Sequence, residues 1–409
     1  MSDPHAPNEN DHRRIGRSLG LFATDELLGS GLPMWLPAGS AVRAELERFV
    51  VELERRTGYR HVHTPSLGKR ELYERSGHLG HFGDDMFPLM SLGGEEFVLR
   101  PMNCPHHMRV FGASDHSYRD LPYRVAELGA MFRAERSGVL GGLSRVRAMT
   151  LNDGHVFCSR DQAASEVAHV LALIHEAHEV LGVDVHRFRL SLRGDGGKYV
   201  DDADAWAFAE GVLRGALRNA GVAYEEEGGE AAFYGPKIDV QVVDAGGREL
   251  TLSTVQLDLH LPGRFGLSYT DAGGADAVPV VVHRSLVGTF ERLAAYLVER
   301  YAGAFPVWLA PVQLAILPVA DDWDAEARSL AAHAVQAGLR CEVVDARHSV
   351  AARVRDAVLA KVPYVAVLGE RDVRAGTVSV RRRGEQRNYD HEQGALVAAI
   401  AAEAESRAR

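Results

Sequence analysis

Residues Met131–Cys158 read MFRAERSGVLGGLSRVRAMTLNDGHVFC. Two apolar runs flank a loop rich in glycine and arginine, the pattern of two antiparallel strands and their connection. Arg133, Arg145 and Arg147 carry fixed charges that can grip phosphate or carboxylate through paired hydrogen bonds. Asp153 and His155 occupy alternate positions, so on a strand both side chains point to one face. Fixed cations, an acid and an imidazole in one stretch point to a site that handles a nucleotide.

The bulk numbers bound what surrounds that stretch. A chain of 409 residues has room for two or three domains, and 46% hydrophobic with 25% charged residues is a globular composition. No apolar run is long enough to span a bilayer. The N-terminal MSDPHAPNENDHRR lacks the apolar core of a secretory signal. Three cysteines cannot build a disulfide framework, so a reducing cytoplasm is the expected compartment. A net charge of −10 argues against a general nucleic-acid coat and leaves open RNA binding at local basic patches.

Residues 1–28 are polar and aperiodic and read as a tail. Residues 40–57, SAVRAELERFVVELERRT, place apolar side chains at helical spacing behind a serine cap, and GYRHVHTP then reads as a strand ending at Pro65. Strands are expected over 96–100, 123–132, 145–158, 231–243, 250–260 and 278–282, and helices over 161–182, 201–220 and 284–302. This order lacks a regular strand–helix alternation. It predicts an α+β domain over residues 29–305, built on a largely antiparallel sheet flanked by helices. The prolines of AFPVWLAP break the pattern. Beyond them VQLAILPV, LRCEVVD and YVAVLG alternate with helices near 323–338 and 349–361, a smaller α/β domain over residues 306–409.

The run RAERSGVLGGLSRVRAMTLNDGHVFC resembles motif 2 of class II aminoacyl-tRNA synthetases, and that of the threonyl-tRNA synthetases in particular. The helix and strand ending at Pro65 resemble motif 1, the dimer interface of that class, and GTFERL at 288–293 resembles motif 3. The resemblance implies a homodimeric ligase that activates threonine with ATP and Mg2+ and passes it from threonyl-adenylate to tRNA-Thr. It implies that Arg133 holds the α-phosphate, Arg145 the pyrophosphate end, Arg292 the γ-phosphate, and that Glu135 accepts from the adenine amino group. In AFYGPKIDV, Tyr234 and Lys237 would face the amine and carboxylate of the substrate. Gln256 of STVQLDL would lie on the sheet floor between ATP and amino acid, with Met102 and Asp153 beside the amino acid. His78, in YERSGHLGHF, corresponds to a histidine that assists deprotonation of the terminal ribose of tRNA.

Cys104 lies in RPMNCPHHM, His155 in NDGHVFC and His283 in VVVHRSLVGTFER. Their spacing says nothing about a metal, and each alone reads as a buried cysteine or structural histidine. The resemblance implies that together they hold one catalytic Zn2+ per subunit. Such a metal would bind the amine and hydroxyl of threonine, rejecting valine and tolerating serine. His106 stands where the family usually has glycine, beside that centre.

VPYVAVLGERDVRAGTVSVRRRGEQR resembles the anticodon-reading segment of the family, with Asp372 and Arg381 on the bases and Arg382, Arg383 and Arg387 on phosphates. Alone it reads equally as a charged hairpin edge. Met149, Leu151, Thr251, Gly141 and Ala134 depart from the family pattern near the nucleotide. These departures leave open a specialised threonine-activating paralog, either inhibitor-tolerant or loading an acceptor other than tRNA. A non-catalytic RNA-binding relic is a third reading, against which the retained arginines argue. The chain starts almost directly at the catalytic domain, so a form without the family's N-terminal editing domains is expected.

Overall fold

A computed structural model describes residues 10–385 and 387–409. The chain forms two compact units, one of residues 24–33 and 47–296 and one of residues up to 23, 34–46 and 297–409.

The first unit is built on an eight-stranded sheet. Its strands are β1 (Arg60–His61), β2 (Tyr123–Phe132), β3 (Ala148–Cys158), β4 (Arg187–Leu192), β5 (Tyr224–Gly228), β6 (Lys237–Val243), β7 (Glu249–Asp258) and β8 (Val280–Ser285). Their spatial order is β5-β4-β6-β7-β8-β3-β2-β1. The interior pairings are antiparallel, and only the outermost pair at each edge is parallel. This is the α+β sheet that the strand-rich sequence predicts.

Both faces of the central strands are covered, so Asn152 to Cys158 of β3 are buried without a break. On one face lies helix α1 (Cys104–Phe111), whose Phe111 ring stacks on Phe157 at 4.4 Å between centroids. On the other lies helix α2 (Ala163–Leu181), burying Val167, Val170, Leu171, Ile174 and Leu181 at helical spacing and ending at Gly182 with φ 68°. That face also hides a charge pair. Arg284 of β8 meets Glu54 at 2.6 Å, with both side chains fully buried. Asn152 donates to Glu54 at 2.7 Å, and the guanidinium lies 4.2 Å over the Tyr59 ring. Gly154 makes room for this, since a Cβ there would stand 2.4 Å from the guanidinium carbon.

Several sequence expectations need correction. Residues 12–18 of the supposed tail form a helix capped by Asp11, too short and polar to show periodicity. The strand at GYRHVHTP pairs only over Arg60–His61. The strand expected over 231–243 starts at Lys237, because the turn at Gly235 brings the backbone against Leu257. The helix expected from 284 starts at Phe290. Strand β8 runs on to Ser285, and Gly288, at φ 69° and pressed on the Leu252 carbonyl, breaks the chain between them. Strands β4 and β5 and helix α1 were not anticipated.

The second unit contains a five-stranded sheet, β9 (Leu314–Pro318), β10 (Cys341–Val343), β11 (Tyr364–Leu368), β12 (Thr377–Arg382) and β13 (Tyr389–Glu392), ordered β10-β9-β11-β12-β13. The first three are parallel, as strand–helix alternation requires, and the last two add antiparallel. Its core joins Leu314, Ile316, Ala366, Leu368 and Val378 to Leu396, Val397 and Ile400 of the C-terminal helix Gln393–Glu405. No helix among the described residues is long and apolar enough to cross a membrane.

Buried His178 of α2 bonds Ser253 Oγ on β7 at 2.8 Å. Burial, helped by the charge of nearby His175, lowers its pKa from 6.5 to about 4. The unfolded chain therefore takes up a proton at this site before the folded chain does. The resulting stability is complete above pH 6.5 and falls away as pH drops toward 4, by roughly 3 kcal/mol in all. Thermal denaturation from pH 7.5 to 4.5 should show a shallower acid slope for His178→Gln than for the wild type; equal slopes would contradict this.

Candidate active site

The α1 face of the sheet carries a cavity of about 430 Å³. Strand register builds its floor. His283 pairs with His155 on one side and with Gln256 on the other, so three side chains from three strands stand in one row. Asp153 follows on the same face two residues before His155. Cys104 opens α1, and the Phe111–Phe157 contact that seats this helix brings its sulfur over the row.

The ligating atoms of Cys104, His155 and His283 all lie within 4.8 Å of one another, and all three residues are buried. His155 Nε2 and His283 Nδ1 face each other at 2.9 Å. The outer nitrogens are engaged: His283 Nε2 with Asp258 Oδ2 at 2.9 Å, and His155 Nδ1 with His107 Nδ1 at 2.7 Å. Burial pushes His155 well below the usual imidazole range. Burial also disfavours charge on His283, but Cys104 and Asp258 outweigh it and raise this group to about 10. One thiol and two imidazoles closing on a point, with their outer nitrogens bonded, form a donor set suited to zinc. His106 does not join them. Its Nε2 faces the Tyr73 hydroxyl at 3.4 Å.

At the other end of the cavity stand Arg133, Arg145 and Arg292. Arg292 is held by the carbonyl oxygens of Thr251 (2.8 Å) and Ser144 (3.2 Å). Burial, then the charges of Arg133 and Arg145, lowers its pKa to about 10. These three cations outnumber the acids at this end of the lining, Glu135 and Asp85, so the cavity wall favours a polyanion. Glu135 is bonded to Arg145 at 2.8 Å, so each side chain is engaged by the other in this structure.

Met102, Gln256, Tyr234 and His78 also line the cavity. Tyr234 lies 5.2 Å from His283 between ring centroids. His78 is fully buried, with Nδ1 bonded to Ser76 Oγ at 2.7 Å and Nε2 without a hydrogen-bond partner. Burial, then nearby cationic groups, lowers its pKa to about 3. That differs from the near-neutral base expected of an ordinary histidine. Lys237 does not enter the cavity lining; its ammonium is paired with Asp239, which also holds Arg189 and Ser191. Sequence reasoning missed His107, Glu127 and Asp258, which support the floor from outside. The second histidine of CPHH was the available signal.

In the second unit Asp372 is largely buried and accepts the Gly369 N–H at 3.1 Å, closing the first turn of helix Glu370–Ala375. Arg381 is half-buried and bonds the Glu385 carbonyl. Arg383 is spent on the carbonyls of Lys361 and Phe305. Neither expected base-reading residue stands free on the surface.

Residues 87–301 match the tRNA synthetase class II core domain (G, H, P, S and T), and residues 313–403 match the anticodon binding domain. A solved structure described as the RNA binding domain of threonyl-tRNA synthetase from Cryptosporidium parvum Iowa II is 31% identical. It superposes with a TM-score of 0.89 over 96% of this chain and 98% of that one. The chain belongs to the threonyl-tRNA synthetase family. The threonine–tRNA ligase of Halalkalibacterium halodurans is 49% identical over 92% of this chain and 59% of its own length. That of a Geobacillus species is 47% identical over 97% and 62%. The chain thus spans about three-fifths of the length of these relatives. A prolyl-tRNA synthetase from Giardia lamblia, 17% identical with a TM-score of 0.72, shares the fold.

Purified protein should carry about one zinc per chain, and Cys104→Ser should lose most of it, because the open position needs three protein ligands to hold the ion. Elemental analysis after dialysis checks this; equal zinc in both proteins would contradict it.

Proposed function

We propose that this chain activates threonine with ATP and transfers it to the terminal ribose of tRNA-Thr, working as a cytoplasmic homodimer joined through its motif 1 segment. One observation carries this reading: Cys104 and His283, which close on buried His155, line the same cavity as Arg133, Arg145 and Arg292. An amino acid held at the first presents its carboxylate toward a nucleotide held at the second.

Zinc held by Cys104, His155 and His283 would supply a Lewis-acidic centre for the amine and β-hydroxyl of threonine, a pair that valine lacks. The residues do the rest. Asp153 and Tyr234 surround the amino acid, and Gln256, held by its amide to the Gly235 carbonyl at 3.0 Å, fixes the floor between the two substrates. Attack of the carboxylate on the α-phosphorus spreads negative charge over the phosphates. Arg133 and Arg292 neutralise it from positions set before substrate arrives, Arg145 joins them once Glu135 releases it, and Mg2+ accompanies ATP. With Nδ1 held by Ser76, His78 presents the Nε2 lone pair to the incoming ribose hydroxyl. Because it stays neutral, it acts there as a hydrogen-bond acceptor. Lys237 serves the carboxylate only after leaving Asp239. The α/β unit contributes anticodon contacts through Asp372 and Arg381 once their local bonds open. An adenylate-forming site joined to an anticodon binding domain favours tRNA as acceptor over a free carrier.

ATP–pyrophosphate exchange should run with threonine, more weakly with serine, and at background with valine. Arg292→Ala should lower threonine-dependent exchange by about 100-fold or more. Charging of tRNA-Thr should follow exchange in the wild type. Exchange with valine equal to that with threonine, or exchange without charging, would contradict the proposal.

A further inference from the structure

Behind the metal cluster runs a second line of buried polar groups. Glu127 of β2 is anchored from two sides. Its Oε1 accepts from Arg100 at 3.0 Å and from the Thr64 N–H at 3.2 Å, and its Oε2 accepts from the Thr64 hydroxyl at 2.8 Å. The same Oε2 faces His107 Nε2 at 3.1 Å, and His107 Nδ1 faces His155 Nδ1 at 2.7 Å. Arg100, His107, Glu127 and His155 are all buried.

The direction of each hydrogen bond follows from its end. A carboxylate paired with arginine has lone pairs and no proton to give, so His107 must carry its proton on Nε2. In a neutral imidazole that leaves Nδ1 as an acceptor, and His155 must carry its proton on its own Nδ1. The lone pair of His155 Nε2 then points at Cys104 and His283. Reversing any step would place an N–H where the ion should sit.

Resting on the zinc reading above, we propose that His107 is a positioning residue for the metal ligand His155, and that Glu127 sets the tautomer of both rings. The effect reaches the ion across two imidazoles, whereas Asp258 acts on His283 directly.

Zinc affinity of the full chain, measured by competition with a chelator, tests this in three proteins. His107→Leu fills the space and offers His155 nothing to bond, so zinc should bind about 10- to 100-fold more weakly. His107→Gln can accept from His155 with its carbonyl and donate to Glu127 with its amide, so its affinity should stay near that of the wild type. A space-filling role predicts the reverse ranking, and Leu holding zinc as well as Gln would overturn the proposal. Nitrogen NMR of the zinc-loaded wild type gives a check that needs no variant. His107 should show one protonated and one bare nitrogen; a doubly protonated ring would overturn the assignment. A wild type with no affinity for zinc would overturn the zinc reading and this assignment together, whereas tight wild-type binding with no loss in His107→Leu would overturn this assignment alone.

Discussion

Two imidazole nitrogens and a sulfur converge on one point of a buried sheet, and much of the rest follows from that. The register of β8 on β3 sets His283 opposite His155, and the seating of α1 adds Cys104. His155 Nε2 and His283 Nδ1, 2.9 Å apart, are bridged by a proton on the raised His283. Asp258 and the Glu127–His107 pair hold the outer nitrogens, which keeps the inner two turned toward each other. The fold thus gathers three donor atoms around one point, and a cation bound there would take the place of that proton.

The far end of the cavity poses the opposite electrostatic problem. Arg133, Arg145 and Arg292 outnumber Glu135 and Asp85 at this end of the lining, so it keeps an excess of positive charge that a triphosphate would neutralise. The sheet tolerates this because its reverse face is self-sufficient. Arg284, next in sequence to His283, is neutralised by Glu54 and lies against Tyr59 and Asn152. Alternation along β8 therefore sends one residue to the Cys104–His155 cluster and its neighbour to a buried structural pair.

Long elements were legible in the sequence because periodicity accumulates over many residues. Helix α2, strands β2 and β3 and the alternating C-terminal unit lie close to their expected places. Short elements were not. Helix Cys104–Phe111 and the helix at 12–18 span about two turns each, β4 lies one strand in from the sheet edge and carries two arginines, and the edge strand β5 is mostly exposed and rich in glutamate. Cavity-lining residues such as Arg133, Arg292, Gln256 and Tyr234 came from motif resemblance, and strand register places them together. Contact-level roles could not be read that way. Lys237 and Asp372 have carboxylate or backbone partners close in sequence that motif matching does not weigh. His78 kept its place, but burial changed its proton affinity.

X-ray absorption at the zinc edge, recorded on the purified protein with and without threonine, tests the central claim most directly. The account predicts one sulfur near 2.3 Å and two nitrogens near 2.0–2.1 Å, with further nitrogen and oxygen ligands appearing when threonine is added and only a nitrogen ligand when valine is added. A shell without sulfur, or one that threonine leaves unchanged, would contradict it.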